Sequence, residues 1–258
     1  MQSIFLKAEE IKNQQKRGAI CIVTDTTGST PRKHGSKMIV FEDGTIYGSI
    51  GGGSVEKDVA VKAVSLISAG KPAKFTFNLE DDLGMHCGGT MEVYIEPINP
   101  AQKLLVFGAG HIGKAVALFA RELDFSVHII DPRENIFTED MLRDHHCINK
   151  DYFQAIEEFP FDENTYGIIV TPKHLYDEEI LGKIARKPHA YVGMLGSSRK
   201  VEMAKKRFLE EKILTREEID AVDMPIGLKF KVQTPQEIAV SILAKVIDVR
   251  NSRNNNNS

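Results

Sequence analysis

The chain has 258 residues, 42% hydrophobic and 27% charged, with a formal net charge of −3. That length supplies one large or two ordinary domains with real cores, and the composition fits a soluble globular protein. The near-balanced charge makes no electrostatic case for nucleic acid as the main partner, and apolar runs well short of a bilayer span predict no membrane segment.

Residues 1–18, MQSIFLKAEEIKNQQKRG, read as an amphipathic helix with Ile4, Leu6, Ala8 and Ile11 on one side and Gly18 past its end, not as a signal peptide. Ala19 to Val23 is a buried strand, followed by a polar loop, DTTGSTPRKHG. Lys37 to Phe41 and Thr45 to Ile50 pair across a Glu42-Asp43-Gly44 turn. Three glycines, Gly51, Gly52 and Gly53, lead into a helix with Ser54 as its predicted N-cap and Val55, Val59, Val61, Ala63, Val64 and Ile67 as its apolar positions. Lys74 to Leu79 alternates as a strand, residues 83–90 (LGMHCGGT) form a second glycine loop, and Met91 to Ile95 is the next strand. Glu96 to Gln102, with two prolines and no periodicity, reads as a domain linker.

Leu104 to Phe107 is a short apolar run that ends in glycine. Gly108, Gly110 and Gly113 follow in G-x-G-x-x-G spacing, then a helix from Ile112 to Leu123 and a strand, Ser126 to Ile130, ending at Asp131. Strand, glycine turn, helix, strand and acid form the dinucleotide-binding fingerprint in its required context. Gly108 permits the turn, Gly110 lets a pyrophosphate approach, Gly113 lets helix and strand pack closely, and Asp131 is placed to accept from a ribose. Further strands at Tyr166 to Val170 and Ala190 to Leu195, with helices between and after them, predict a doubly wound parallel sheet. A last helix runs from Ile238 to Val249, and the Asn-rich tail from Asn251 to Ser258 reads as frayed.

Each loop has a functional and a structural reading. Gly28 to Lys37, with Arg32, Lys33 and three hydroxyls, is an anion-binding loop or a polar surface loop. Residues 49–56 (SIGGGSVE) offer consecutive N–H groups to an anion, or use their glycines to admit a crowding neighbour; Glu56 sits where a helix dipole stabilises a carboxylate. In residues 84–90 (GMHCGGT), Cys87 beside Gly88 and Gly89 is a nucleophile, a soft-metal ligand or an inert thiol. His145, His146 and Cys147 read as incidental surface residues. After the fifth Rossmann strand, Ser197, Arg199 and Lys200 lie at the carboxyl edge of the sheet, where ligands bind. The three cysteines make no disulfide framework and fit a reducing cytoplasm.

Taken together, GSTPRKHGSKMIVFEDG, GSIGGGSVEKDVA, GMHCGGTMEVYIEP, VFGAGHIG, YVGMLGSSRK and MPIGL followed by TPQEIAVSILAKVI resemble the XdhC/CoxI family over nearly the whole chain. These are accessory proteins that mature molybdenum hydroxylases such as xanthine dehydrogenase. The resemblance implies an XdhC/CoxI α+β domain over residues 1–98, a Rossmann domain over 103–250 and a disordered tail at 251–258. It also implies a cytoplasmic carrier that acts in purine catabolism rather than a catalyst, which binds molybdenum cofactor, favours its sulfurated form and hands it to the apo-hydroxylase. A cysteine desulfurase and a second copy of the chain are further candidate partners. Three departures stand out: Ser54 where the family's glycine loop continues with cysteine, Thr171-Pro172-Lys173-His174 in place of Thr-His-Asp-His, and Lys229-Phe230-Lys231 in place of Asp-Ile-Gly. With Ser54 supplying only a hydroxyl, Cys87 is the only loop cysteine left for the metal.

The residues expected to hold the cofactor are therefore Arg32, Gly51, Gly52, Gly53, Ser54, Glu56, Cys87, Gly88, Gly89, Gly108, Gly110, His111, Gly113, Asp131, Ser197 and Arg199. The glycine loops are expected around one cleft between the domains, with Arg32 and Arg199 at its anionic end and Cys87 facing molybdenum. The rival reading is an NAD(P)-dependent oxidoreductase, with His111, Lys173 and His174 as acid–base candidates. A third is a protein-docking scaffold.

Overall fold

The structure is a computed structural model that describes residues 3–14, 16–79, 89–172 and 174–256. The chain divides into two compact units between Ala101 and Gln102.

The first unit contains α1 (Ile4–Asn13), β1 (Gly18–Thr27), β2 (Lys37–Phe41), β3 (Ile46–Gly48), α2 (Gly53–Ala69), β4 (Ala73–Asn78) and β5 (Thr90–Ile98). The strands form an antiparallel sheet in the order β3-β2-β1-β5-β4. Successive side chains alternate between its faces. Cys21, Val23, Met38, Val40, Met91, Val93 and Ile95 meet Val55, Val59, Ala63 and Ile67 of α2 in one core. Each large aliphatic buried there contributes about 1.5–3 kcal/mol. Val61 lies 72% exposed, because two residues on from Val59 is the far side of a helix. From the other face of the sheet, Ile11 of α1 closes on Gly18. Gly18 is thus the first residue of β1 and not a helix end. β5 continues through Pro97 to Ile98 because β1 still supplies partners there, Ala19 for Pro97 and Gly18 for Ile98. The segment between the last strand of this unit and the first of the next shrinks to residues 99–101.

The second unit contains β6 (Gln102–Phe107), α3 (His111–Arg121), β7 (Phe125–Ile130), α4 (Glu139–Asp144), β8 (His146–Ile148), α5 (Tyr152–Glu158) and β9 (Thr165–Ile169). It goes on through α6 (His174–Ile184), β10 (Tyr191–Met194), α7 (Ser198–Glu210), α8 (Arg216–Asp220) and α9 (Pro235–Asn256). All five strands are parallel, in the order β10-β9-β6-β7-β8. Parallel sheets are covered on both faces, and β6 shows how. Leu104 and Val106 pack with Val116 and Ala120 of α3 and Ile242 and Val246 of α9. Leu105 and Phe107 pack with Ile156 of α5, Ile180 of α6 and Val201 of α7. Two short helices, α4 and α8, carry no long periodic run and are not legible as elements. Helix α9 runs through residues 251–256 of the segment expected to be disordered. Arg250 donates to the Leu123 carbonyl, and Arg253 to those of Ala190 and Glu163, so the last turns are tied to the body of the unit.

Beyond α8, residues 223–227 run beside β10. Gly193 and Asp223 form a parallel bridge. The Asp223 carboxylate accepts from the Tyr191 hydroxyl at 2.5 Å and from the Gly227 N–H at 2.8 Å. Burial, with the bond to Asp223, pushes the Tyr191 phenol well above its ordinary value. Tyr191→Phe removes a hydrogen bond to a carboxylate and is expected to cost about 2 kcal/mol, a fall of about 5 °C in the thermal midpoint. Circular dichroism melts of the full chain check this; an unchanged midpoint would mean the bond adds nothing to stability.

Candidate functional site

Three loops of the first unit come together. A Cβ added at Gly51 would lie 2.7 Å from Cγ of Pro31, and one added at Gly89 would lie 2.5 Å from the carbonyl oxygens of both Thr27 and Ser29. Glycine at 51 and 89 is therefore what lets the triple-glycine loop and the end of the third loop close on residues 27–31. The Gly89 carbonyl also accepts from Leu79 N at 3.0 Å. Cys87 and Gly88 lie outside the described residues, as do Gly84, Met85 and His86.

Within residues 28–37, two of the hydroxyls serve the loop itself. Thr30 Oγ1 donates to the Arg32 carbonyl at 3.1 Å and Ser36 Oγ to that of Lys33 at 2.8 Å, while Lys37 Nζ donates to that of Gly35 at 2.9 Å. Arg32 and Lys33 are exposed. The loop thus holds its own turn and leaves two cations at the surface.

The triple-glycine loop is organised by Glu56. Its Oε1 accepts from Gly52 N at 2.7 Å, Ile50 N at 3.0 Å, Gly51 N at 3.2 Å and the Ser49 hydroxyl at 2.7 Å. The N–H groups of Ile50, Gly51 and Gly52, which the sequence offers to an outside anion, are already bonded to an internal one. Helix α2 starts at Gly53, so Gly52 is its N-cap and makes no side-chain cap bond. Ser54 falls inside the first turn, a correction to its expected capping role. Burial pushes the Glu56 carboxyl up, but the bonds from Ser49, Gly52, Ile50 and Gly51 outweigh it and hold the group below its ordinary value. Cys21, in the core of the same unit, is inert: burial pushes its thiol up to about 12.

In the second unit the glycine turn has the expected shape. A Cβ at Gly113 would lie 1.8 Å from the Gly108 carbonyl oxygen, whereas Gly110 faces open space. His111 is exposed at the start of α3. Asp131 is fully buried. Its Oδ2 accepts from Ala109 N at 2.8 Å and Arg133 Nη2 at 2.7 Å, and its Oδ1 from Arg133 N at 3.0 Å and Nε at 2.9 Å. Burial raises the Asp131 carboxyl, but the Arg133 and Ala109 donors prevail and keep it below the ordinary value. The acid the fingerprint would turn to a ribose is thus bonded to the glycine turn and to Arg133. Arg133 was missed in the sequence; the signal was its place two residues after the acid, within reach of an aspartate-centred turn.

Ser197 caps α7 through Lys200 N at 3.4 Å, and Arg199 is exposed. Thr171 is buried and donates through N and Oγ1 to Asp177, while Lys173 and the His174 side chain lie outside what is described. The Lys229-Phe230-Lys231 departure falls on the rim of a cavity of about 730 Å³ beside α7. Of the cluster expected to be incidental surface residues, His146 is exposed, and His145 and Cys147 are half-buried. His146 stacks on His128 with ring centroids 4.5 Å apart, and the half-buried Cys147 thiol donates to the Met141 carbonyl at 3.3 Å. Burial, then the neighbouring His146 and Lys103, lower His128 to about 4. Among the described residues no group of three or more His, Cys, Asp and Glu could hold a metal ion, and no helix is long and apolar enough to cross a membrane.

A five-stranded parallel sheet with its first, second and third strands on one side of the switch point and a glycine turn after the central strand defines a Rossmann-type domain; before it stands an antiparallel sheet whose loops gather at Pro31. The family model for the XdhC Rossmann domain matches residues 104–246, and that for the XdhC and CoxI family matches residues 11–78. The chain belongs to the XdhC and CoxI family. It is 34% identical over 256 residues to a protein of Escherichia coli (strain K12) named Uncharacterized protein YqeB, with 97% of this chain and 47% of that protein covered. It is 29% identical over 166 residues to a protein of Bacillus subtilis (strain 168) named as a probable xanthine dehydrogenase subunit, with 64% and 48% covered. It is 20% identical over 288 residues to the Molybdenum cofactor insertion chaperone PaoD of Escherichia coli (strain K12), with 91% and 84% covered. The chain spans about half the length of the first two relatives. In fold it resembles a crystal structure described as a xanthine dehydrogenase from Bacillus halodurans, with a TM-score of 0.54, 23% identity, and 98% of this chain and 97% of that one covered.

Proposed function

We propose that this chain is a carrier of molybdenum cofactor that holds the sulfurated form and delivers it to an apo-hydroxylase of the xanthine dehydrogenase type, in the cytoplasm. The observation that carries the reading is the convergence of residues 27–31, 49–56 and 89 in one place. Family membership and the kinship to a protein named a molybdenum cofactor insertion chaperone support it. The cofactor is cargo: a pterin with a phosphate and a dithiolene-held metal. In this reading exposed Arg32 takes the phosphate, Glu56 keeps the glycine loop in shape, and Cys87 offers a thiol to molybdenum, a soft ligand for a soft centre. Gly110, open on its Cβ side, and Arg199 serve anionic groups in the second unit.

Titration of the full chain with sulfurated molybdenum cofactor, followed by gel filtration and molybdenum analysis, tests this. Retention of cofactor by the wild type is expected, weakened about tenfold in Arg32→Ala, the equivalent of about 1.4 kcal/mol, and weakened again in Cys87→Ala. Failure to retain cofactor, with saturable NADH binding in a parallel titration, would transfer the reading to an NAD(P)-dependent oxidoreductase. The buried, fully bonded Asp131 argues against that alternative.

A further inference from the structure

We propose that the cavity bounded by α7, residues 224–232 and the start of α9 binds a small phosphorylated heterocycle of the nucleoside monophosphate class. The cavity measures about 730 Å³, within the range of small-molecule sites. Its chemistry is two-sided. Val201, Ile226 and Ile238 supply an apolar wall, and Phe230, 52% exposed, adds an aromatic ring at the rim. Lys205, Lys229 and Lys231 line it against a single acid, Glu202. Lys205 is 3.9 Å from that acid. Lys229 and Lys231 make no ion pair among the described residues. An inorganic anion would leave the apolar wall wet, and a neutral apolar ligand would leave the ammonium groups of Lys229 and Lys231 unanswered. A phosphate joined to a flat ring satisfies both.

The wall formed by the 224–232 segment is fixed before any ligand arrives. Asp223 ties down Gly227 N and the Tyr191 hydroxyl. Ser241 Oγ donates to the Leu228 carbonyl at 2.7 Å, and Leu228 N donates to that of Ser241 at 3.2 Å. Preorganisation of this kind lowers the ordering cost of binding. The α7 helix begins at Ser198, and Gly196 and Ser198 line the same cavity, so the positive end of a 13-residue helix dipole adds to the lysines. The cavity follows β10, the edge strand, and its lining includes no residue of the glycine turn that follows β6. The proposal does not rest on the carrier reading.

Isothermal titration of the full chain with AMP, GMP, CMP and UMP tests it, with inorganic phosphate and uncharged adenosine as controls. At least one nucleotide is expected to saturate below about 1 mM, with phosphate and adenosine each about tenfold weaker or more. The Lys229→Glu/Lys231→Glu double variant changes two exposed residues, and its thermal midpoint is expected to match wild type. It should weaken the nucleotide about tenfold or more, as should Phe230→Ala. No saturation by any nucleotide, undiminished binding to the folded double variant, or equal binding of phosphate alone would each overturn the proposal. Because cofactor retention is read separately, either reading can fail without the other.

Discussion

Replacing Gly113 with alanine is expected to lower the thermal unfolding midpoint of the second unit by about 10 °C. The added methyl would stand 1.8 Å from the Gly108 carbonyl oxygen and 3.4 Å from Cγ1 of Val106. Gly108 cannot step aside. Its N–H is bonded to the Ile130 carbonyl at 2.9 Å, its φ is 109°, and on its Cβ side it already abuts the Val170 carbonyl. The turn is held between the ends of β7 and β9, so the helix must move instead and strain the packing of Val116 and Ala120. Overpacking a fixed site costs about 3 kcal/mol, and a unit of this size loses about 2–4 °C per kcal/mol. Gly110→Ala is the control. Its φ is −74° and nothing lies within 4 Å of the added atom, so its midpoint should stay within about 2 °C of wild type. Circular dichroism melts compare the two; equal midpoints would show that the close approach at Gly113 is not fixed.

The second large effect is expected at Glu56. Glu56→Ala leaves three backbone N–H groups and the Ser49 hydroxyl without their acceptor. Unanswered donors cost about 1–3 kcal/mol each when buried. These are half-buried and partly rehydrate, so about 3 kcal/mol in total is expected at pH 7 from urea unfolding of the full chain. Because the fold holds the Glu56 carboxyl below its ordinary value of 4.5, its ionised contribution is fully present above that value. It disappears as pH falls through the lower folded value. Glu56→Gln keeps an acceptor oxygen and loses the charge, so it should be the milder variant. Its stability gap from wild type should close as the pH is lowered below 4.5. A gap that stays constant from neutral pH into that range would mean the charge of Glu56 contributes nothing to the loop.

The two experiments together separate what the glycine loops have in common from what divides them. Both are glycine turns running from a strand into a helix, and in both the turn's own N–H groups meet an internal carboxylate, Glu56 in one and Asp131 in the other. An internal acid holds each backbone in shape without a ligand. It also means that an incoming phosphate at either loop must find donors outside those bonds, such as the exposed side chain of Arg32 in the first unit or the open side of Gly110 in the second.

Much of this was legible in the amino-acid order. Unbroken apolar runs such as residues 104–107 mark strands buried on both faces, alternation at Met91, Val93 and Ile95 marks one face of an antiparallel sheet, and glycines at 108, 110 and 113 mark the turn, because periodicity and conformational freedom are local properties. Partners were not legible. That Pro31 sits on Gly51, that Arg133 claims Asp131, that Glu56 gathers four donors, and that Lys229 and Lys231 overhang a cavity beside α7 depend on which loops the sheets bring together, a contact set by packing among residues distant in sequence. The sequence alone determined the two fold classes, the glycine turns and the family; the tertiary structure alone decided which of the charged groups are already answered inside the fold and which remain at the surface to meet a ligand.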